Sequence, residues 1–376
     1  MKSTFGKNIR VSIWGGSHEP AIGVDISGIT VGTRIDMNQL ETFLKRRAPG
    51  NNPFGTKRRE PDIPVPVRGL APSEVPEPDG SADSRIMTVT EPDISLEIRN
   101  TDTRSSDYRS LRTVPRPGHA DYTARLRYGD DLNMAGGGPF SARMTAPLCI
   151  AGGIALQILK EQGIEIGAHI YSIGDITDTP IDPVDPDIRT LHEIRTADLA
   201  VISDDARQEM EACITRAGEE LDSVGGTVEA CVVNLPGGIG GAMYDGLESV
   251  LAPILFGIPA VKGVEFGAGF GASELRGSEN NDPFYYDSGR VKTRTNNHGG
   301  ILGGITTGMP LIVRLAFKPT PSISRQQDSV DLETGENTKL IVKGRHDPCV
   351  VPRAVPIVEA ALAIGILDCM MEVNND

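Results

Sequence analysis

Cysteine is scarce and scattered in this chain: Cys149, Cys213, Cys231, Cys349 and Cys369, with no C-x-x-C pair. An odd, dispersed set excludes a disulfide framework and a zinc site of the usual spacing, and it points to reduced thiols in a cytoplasmic protein. Basic charge is short too, since 37 Lys and Arg against 51 Asp and Glu leave a net charge of −14. Nucleic-acid binding needs a basic face toward the phosphate backbone, so no nucleic-acid partner is expected. No apolar run is expected to reach the roughly 18–20 residues of a membrane span. The opening MKSTFGKNIR holds no signal-peptide hydrophobic region. Also lacking are a P-loop, a convincing dinucleotide fingerprint and a G-x-S-x-G elbow. Two acidic, proline-rich stretches, APSEVPEPDGSADS and DTPIDPVDPDIRT, lack the ligand order of a calcium loop and read as exposed loops. No metal is expected.

Glycine is plentiful. The chain holds 43 in 376 residues, above the usual share of roughly 7%. They are bunched in short motifs between regular segments, which argues for ligand-binding loops where backbone N–H groups are approachable. A hydrophobic content of 39% can build a sizeable core. Helical spacing is clearest in DMNQLETFLKRRA, where Met37, Leu40, Phe43 and Leu44 share a face and Asp36 caps the start. Further helices are expected at 145–161, 204–222, 242–256 and 355–371, the second with Met210, Cys213, Ile214, Ala217 and Leu221 on one stripe. Strands are expected in IRVSIW, GVDIS, ISLEIRN, IEIGAHIYSIG, GGTVEACVVNLP, AVKGVEFG, PLIVRLAFKP and LIVKG. The mixture lacks strict βαβ alternation, which favours an α+β fold, with 1–376 as one domain. TEPDISLEIRNT and TGMPLIVRLAFKPT are loosely alike, a hint of internal duplication.

Several motifs are candidates for chemistry. In WGGSHEPAIGVDISG, glycines place Ser17 and His18 on a tight turn after a strand. LKRRAPGNNPFGTKRREPD carries Arg46, Arg47, Lys57, Arg58 and Arg59, either a solvated helix end or contacts for a phosphate or carboxylate. GHADY sets His119 among Arg104, Arg109, Arg112, Arg116, Arg125 and Arg127. That histidine is a core residue, a loop residue, or a proton donor in an anion pocket. MAGGGPFSARMTA reads as a glycine loop entering an apolar helix, with Ser141 and Arg143 at its start. KGRHDPCVVPRAVPIVEA places Arg345, His346 and Asp347 at a strand-to-helix turn. His169 and His192 lack matched partners in the sequence and read as structural, while His298 and His346 lie in ligand-like loops.

In order, these motifs resemble the chorismate synthase family: GGSHEPAIGV, KRRAPG…KRREPD, RNTDTRSSDY, RPGHADYTARLRYG, GGGPFSARMTA, PAVKGVEFGAGF, LRGSENND, GGILGGITTGMP, KPTPSI and GRHDPCVVPRAVPIVEA. The resemblance implies a β-α-β sandwich, a cytoplasmic homotetramer, and a lyase of the shikimate pathway. It would convert 5-enolpyruvylshikimate 3-phosphate to chorismate and phosphate with reduced FMN. No dinucleotide fingerprint suggests NADPH binding, so an external flavin reductase is expected as a partner.

The resemblance also implies roles. His18 would lie beside the substrate phosphate as a general acid, and His119 beside the flavin ring as a proton donor. Ser17, Ser141 and Asp347 would pass the substrate proton toward the flavin, with Asp347 oriented by Arg345. Ser141, Ala260, Gly303, Lys318, Pro319, Thr320, Pro321, Ser322 and Arg345 would bind the flavin. Arg47, Arg58, Arg59, Arg116 and Arg143 would meet the substrate anions. Glu19, Ala48, Pro53, Pro139, Phe140 and Leu148 depart from the family pattern, four of them where basic residues are usual. The alternative is a flavin- and phosphate-binding paralogue with another substrate or no catalysis.

Overall fold

The computed structural model describes residues 2–50, 54–55, 60–73, 85–101, 113–342 and 347–373. Arg58, Arg59, Arg345, His346 and Pro53 lie outside the described residues, as does most of APSEVPEPDGSADS.

Two five-stranded antiparallel sheets carry the architecture. The first runs in the order Lys2–Phe5, Arg10–Gly15, Ala21–Ser27, Asp93–Arg99, Val65–Arg68. Its strands alternate as half-buried strands must: Ile94, Leu96 and Ile98 face the core and lie opposite Ile26, Val24 and Ile22. The second runs Ile176–Thr177, Glu165–Ile173, Gly226–Val233, Leu311–Phe317, Val261–Phe266. Both of its faces are covered. Ala230, Val232, Val313 and Leu315 join the main core, whereas Cys231 and Ile312 pack with Ile181 and Leu191 on the opposite face.

Between the sheets lie the helices Thr145–Glu161 and Val351–Val373, packed on each other. The first touches the strands Ala21–Ser27 and Asp93–Arg99, and the second touches Glu165–Ile173 and Gly226–Val233. The result is the expected β-α-β sandwich. Its helices approach closely at Gly152, where a β-carbon would stand 2.7 Å from the carbonyl oxygen of Ala360 and overlap that residue's Cβ. Contrary to expectation, apolar runs of membrane-spanning length do exist: Val351–Glu372 has a hydropathy of 1.9 and Ala142–Glu161 one of 1.4. They are 89% and 78% buried. A helix with a sheet on one side and helices on the others must be apolar nearly all round.

Other segments follow local signals. Asp36 Oδ1 accepts from the amides of Asn38 and Gln39 and starts the helix Met37–Arg47, which buries Met37, Leu40 and Leu44. The helix Asp204–Glu219 buries Met210 and Ile214 and ends before Leu221, which takes φ 61° and is 55% exposed, not on the buried stripe. The helix expected over 242–256 begins at Leu247, after a short 3-10 turn. Where a strand was expected in LIVKG, the observed strand is Glu336–Leu340 and shares only Leu340 with that stretch.

The hint of duplication has a structural counterpart. Strand Ala21–Ser27, helix Met37–Arg47, edge strand Val65–Arg68, inner strand Asp93–Arg99 and helix Thr145–Glu161 follow in that order. Gly226–Val233, Leu247–Phe256, Val261–Phe266, Leu311–Phe317 and Val351–Val373 repeat it, strand for strand and helix for helix. The two similar stretches therefore occupy the same place in their respective sheets. The end of the last helix also reaches back to the first hairpin, where the buried Asp368 carboxylate accepts from the amides of Lys7 (3.1 Å), Asn8 (2.6 Å) and Ile9 (2.8 Å).

Candidate active site

The turn after strand Arg10–Gly15 closes through Glu19 N–H to Gly16 O and carries Ser17, fully buried, and His18. Asn100 Nδ2 fastens it by donating to the carbonyls of Gly16 (3.2 Å) and Glu19 (2.7 Å). Ser17 N–H donates to Gly138 O at 3.2 Å. That brings the turn onto Gly136, Gly137 and Gly138, which take φ 62°, 89° and 51°. Left-handed backbone disfavours any side chain, and here there is no room for one. A β-carbon on Gly136 would overlap the His18 ring and stand 2.9 Å from Ser17 Oγ. One on Gly137 would stand 3.2 Å from His119 Nε2 and 3.4 Å from Ser141 Cβ. His18, Ser17, His119 and Ser141 thus gather on two adjacent glycines.

His119 belongs to a second knot. Its Nδ1 lies 2.8 Å from Asp121 Oδ1 and 3.1 Å from Arg116 Nη2. Arg116 is bidentate on Asp121 and donates through Nη1 to Ser322 Oγ at 3.0 Å. Lys318 Nζ donates to the carbonyl of Gly118, and Pro321 packs beside the same glycine. So the 318–322 loop lies over the GHADY segment. Burial, with Lys262 nearby, pushes the Lys318 amine down.

A third network stands behind Ser141, whose Oγ accepts from Arg143 N–H. Arg47 donates to Asp62 Oδ2 (2.5 Å), Thr145 Oγ1 (3.0 Å) and Ala142 O (3.2 Å). Arg143 donates to Asp62 Oδ1 and, at 3.0 Å, to Asn100 Oδ1. Burial would push the Asp62 carboxyl up, but the two guanidiniums hold it below its ordinary value. Arg353 joins Arg47 O to Asp347 Oδ2 at 2.9 Å. Arg353 thus ties Asp347 to the Arg47 backbone, and the described ion-pair partner of Asp347 is Arg353.

Arg47, Arg116 and Arg143, expected to meet substrate anions, are 1%, 6% and 4% exposed and already carry carboxylate partners. Ala260 takes φ 76° and its carbonyl accepts from Lys318 N–H. Gly303 sits in the hairpin turn between Ile301–Leu302 and Ile305–Thr306, whose neighbouring Gly304 carbonyl accepts from Leu247 N–H. That contact ties the hairpin to the helix Leu247–Phe256. Ala48 and Leu148 are buried, Glu19 is exposed, and the Phe140 ring lies 6.3 Å from that of Tyr128.

Sequence reasoning missed Asp62, Asn100 and Asp121, all held by contacts between distant segments or by a side-chain direction that spacing does not show. His169 was also read as lacking partners. In the second sheet Glu229 pairs in register with both His169 and Arg314. His169 Nδ1 reaches Asp178 (2.9 Å) and Nε2 reaches Glu229 (3.1 Å). The stretch DTPIDPVDPDIRT is correspondingly no mere solvated loop, because Asp178 and Ile181 are buried.

The flavin implied by the motifs suits this site. Lys318 supplies a cation beside Gly118, the residue before His119. The Thr320 hydroxyl is buried with no hydrogen-bond partner among the described residues, a group left for a ligand.

Comparison with known proteins points to one family. A family model described as chorismate synthase matches residues 9–371. The chain is 42% identical to a chorismate synthase from Lancefieldella parvula, over 98% of this chain and 96% of that one. It is 41% identical to one from Korarchaeum cryptofilum, over 98% and 97%, and 42% identical to one from Thermococcus gammatolerans, over 97% of each. A solved chorismate synthase crystal structure superposes with a TM-score of 0.74 at 24% identity, covering 98% of this chain and 93% of that one, which shows the shared fold. With its sandwich, its glycine floor and its motifs in order, this chain belongs to the chorismate synthase family.

Proposed function

We propose that this chain is a lyase that eliminates phosphate from 5-enolpyruvylshikimate 3-phosphate to give chorismate, with reduced FMN as its cofactor. The observation that carries the reading is the meeting of His18 and His119 over Gly136 and Gly137 in a member of this family. In the reaction a C–O bond to phosphate breaks at one ring carbon and a C–H bond at another, and the new double bond keeps the electrons. Reduced flavin, when bound, supplies electron density and recovers it, so there is no net redox change.

His18 protonates the departing phosphate, and His119 gives and takes a proton at Nε2 on the flavin side. Ser17, Ser141 and Asp347 move the substrate proton. Lys318, Pro319, Thr320, Pro321 and Ser322 hold the cofactor, with Ala260, Gly303 and Arg345. Arg47, Arg116 and Arg143 shape the positive wall, and Arg58 and Arg59 reach the substrate anions. The protein acts as a cytoplasmic homotetramer, served by an external flavin reductase.

Anaerobic turnover with chemically reduced FMN tests the reading, following chorismate absorbance and released phosphate. Both products should appear in equal amounts, and oxidised FMN should support neither. Flavin binding without turnover would instead identify a paralogue with another task.

A further inference from the structure

Asp121 has no part in the reading above, yet its carboxylate is fully engaged. Oδ2 accepts from the Arg116 backbone N–H at 3.0 Å and from Arg116 Nε at 2.7 Å. Oδ1 takes Arg116 Nη2 at 2.7 Å and lies 2.8 Å from His119 Nδ1. A carboxylate offers about four lone-pair sites, and here all four face donors. Burial would push this carboxyl up, but Arg116 and His119 hold it far below the usual carboxylate range. It is ionised.

An aspartate in the first turn of a helix complements the helix dipole, and Asp121 opens the helix Asp121–Tyr128. That accounts for its position in the chain but not for the direction of its side chain, which turns to Arg116 and His119. An ionised oxygen 2.8 Å from a ring nitrogen requires a proton between them, because a lone pair there would face negative charge. Arg116 Nη2, 3.1 Å from the same nitrogen, favours the opposite tautomer. The carboxylate is the nearer group, however, and it carries the negative charge. Across the site, Lys318 is directed to Gly118 O and Ser322 takes the remaining Arg116 nitrogen. Neither competes for His119.

We propose that Asp121 is a positioning residue. It keeps a proton on His119 Nδ1 and so leaves Nε2, above Gly137, as the nitrogen that gives and takes protons in the site. Its catalytic consequence rests on the lyase reading, while the tautomer itself does not.

The test is 15N NMR of histidine-labelled, ligand-free protein, with His119 assigned by the loss of its signals in His119→Gln. Neutral His119 should be protonated at Nδ1 in the wild type, and Asp121→Asn should raise the share protonated at Nε2. With substrate and reduced FMN, Asp121→Asn should lower kcat by about 10²-fold, the scale of a positioned acid or base, with little change in KM. The double variant Asp121→Asn, His119→Ala should be no slower than His119→Ala alone. A neutral wild-type His119 protonated at Nε2 instead of Nδ1 overturns the proposal and needs no variant to fold. So does a double variant whose losses multiply. Absence of turnover in a protein that shows the Nδ1–H tautomer would count against the lyase reading and leave this one standing.

Discussion

Gly136 lies directly against His18: a β-carbon on the glycine would overlap the imidazole and come within 2.9 Å of Ser17 Oγ. The Gly136→Ala variant should therefore displace His18 and cost turnover about as much as losing the histidine. Backbone strain adds roughly 1–2 kcal/mol. Gly163→Ala is the control, since Gly163 has φ 78° with nothing near its missing β-carbon. It should lose stability alone. Equal kcat in the two variants would contradict contact between the floor and His18.

His18→Ala and His119→Ala should each slow turnover by about 10²-fold or more. Both sit in glycine-flanked turns outside the main core, so circular dichroism and the unfolding midpoint should change little. Near-normal rates across a range of pH would remove that residue from the reaction.

Asp347→Asn keeps most contacts to Arg353 but removes the base. Its single-turnover rate should fall by about 10²-fold while FMN and substrate still bind. If Asp347 serves only as the counter-ion of Arg353, the opposite pattern appears: a lower unfolding midpoint with an unchanged chemical step once ligands saturate.

The clip around His169 makes stability depend on pH. Burial alone would pull this imidazole below its ordinary 6.5, but Asp178 and Glu229 more than offset that and raise it. Stability from a raised group is complete below the unfolded pKa and is lost as pH rises through the folded one. Asp178 and Glu229 are lowered in spite of burial, so their share is complete above the unfolded carboxylate range and fades as pH falls through the folded values. The clip should hold best between roughly pH 4.5 and 6.5. In an NMR titration His169 should turn over above 6.5, and in Glu229→Gln it should do so at lower pH. An unshifted wild-type titration would refute the clip.

Gly152→Val should destabilise the sandwich by about 1–3 kcal/mol through overpacking against Ala360, read from the urea midpoint. Activity per folded molecule should survive, because neither residue touches the glycine floor.

Much of this was legible in the chain. Periodicity and the Asp36 cap located the helix Met37–Arg47, and GHADY marked the segment that carries His119. Side-chain pairing across distance was not legible. Asp62 reaches Arg143 eighty-one positions away, and His169 meets Glu229 sixty positions on through sheet register. The apolar length of the helix Val351–Val373 was not legible either. Arg353, Glu359 and Asp368 punctuate its apolar run, yet Arg353 bonds to Asp347, Glu359 to Arg46 and Asp368 to three backbone amides. A charge that finds its partner inside does not end a buried helix.

The grip of Asp368 on the amides of Lys7, Asn8 and Ile9 has a consequence for the order of assembly. During synthesis the first hairpin emerges long before the helix that secures it, and the first half of the sandwich must wait with its helix Thr145–Glu161 uncovered. Contacts of such sequence separation slow folding and leave apolar surface exposed meanwhile. The chain should therefore reach its native state only after release of its last helix from the ribosome, and chaperones should meet it as an unfinished half.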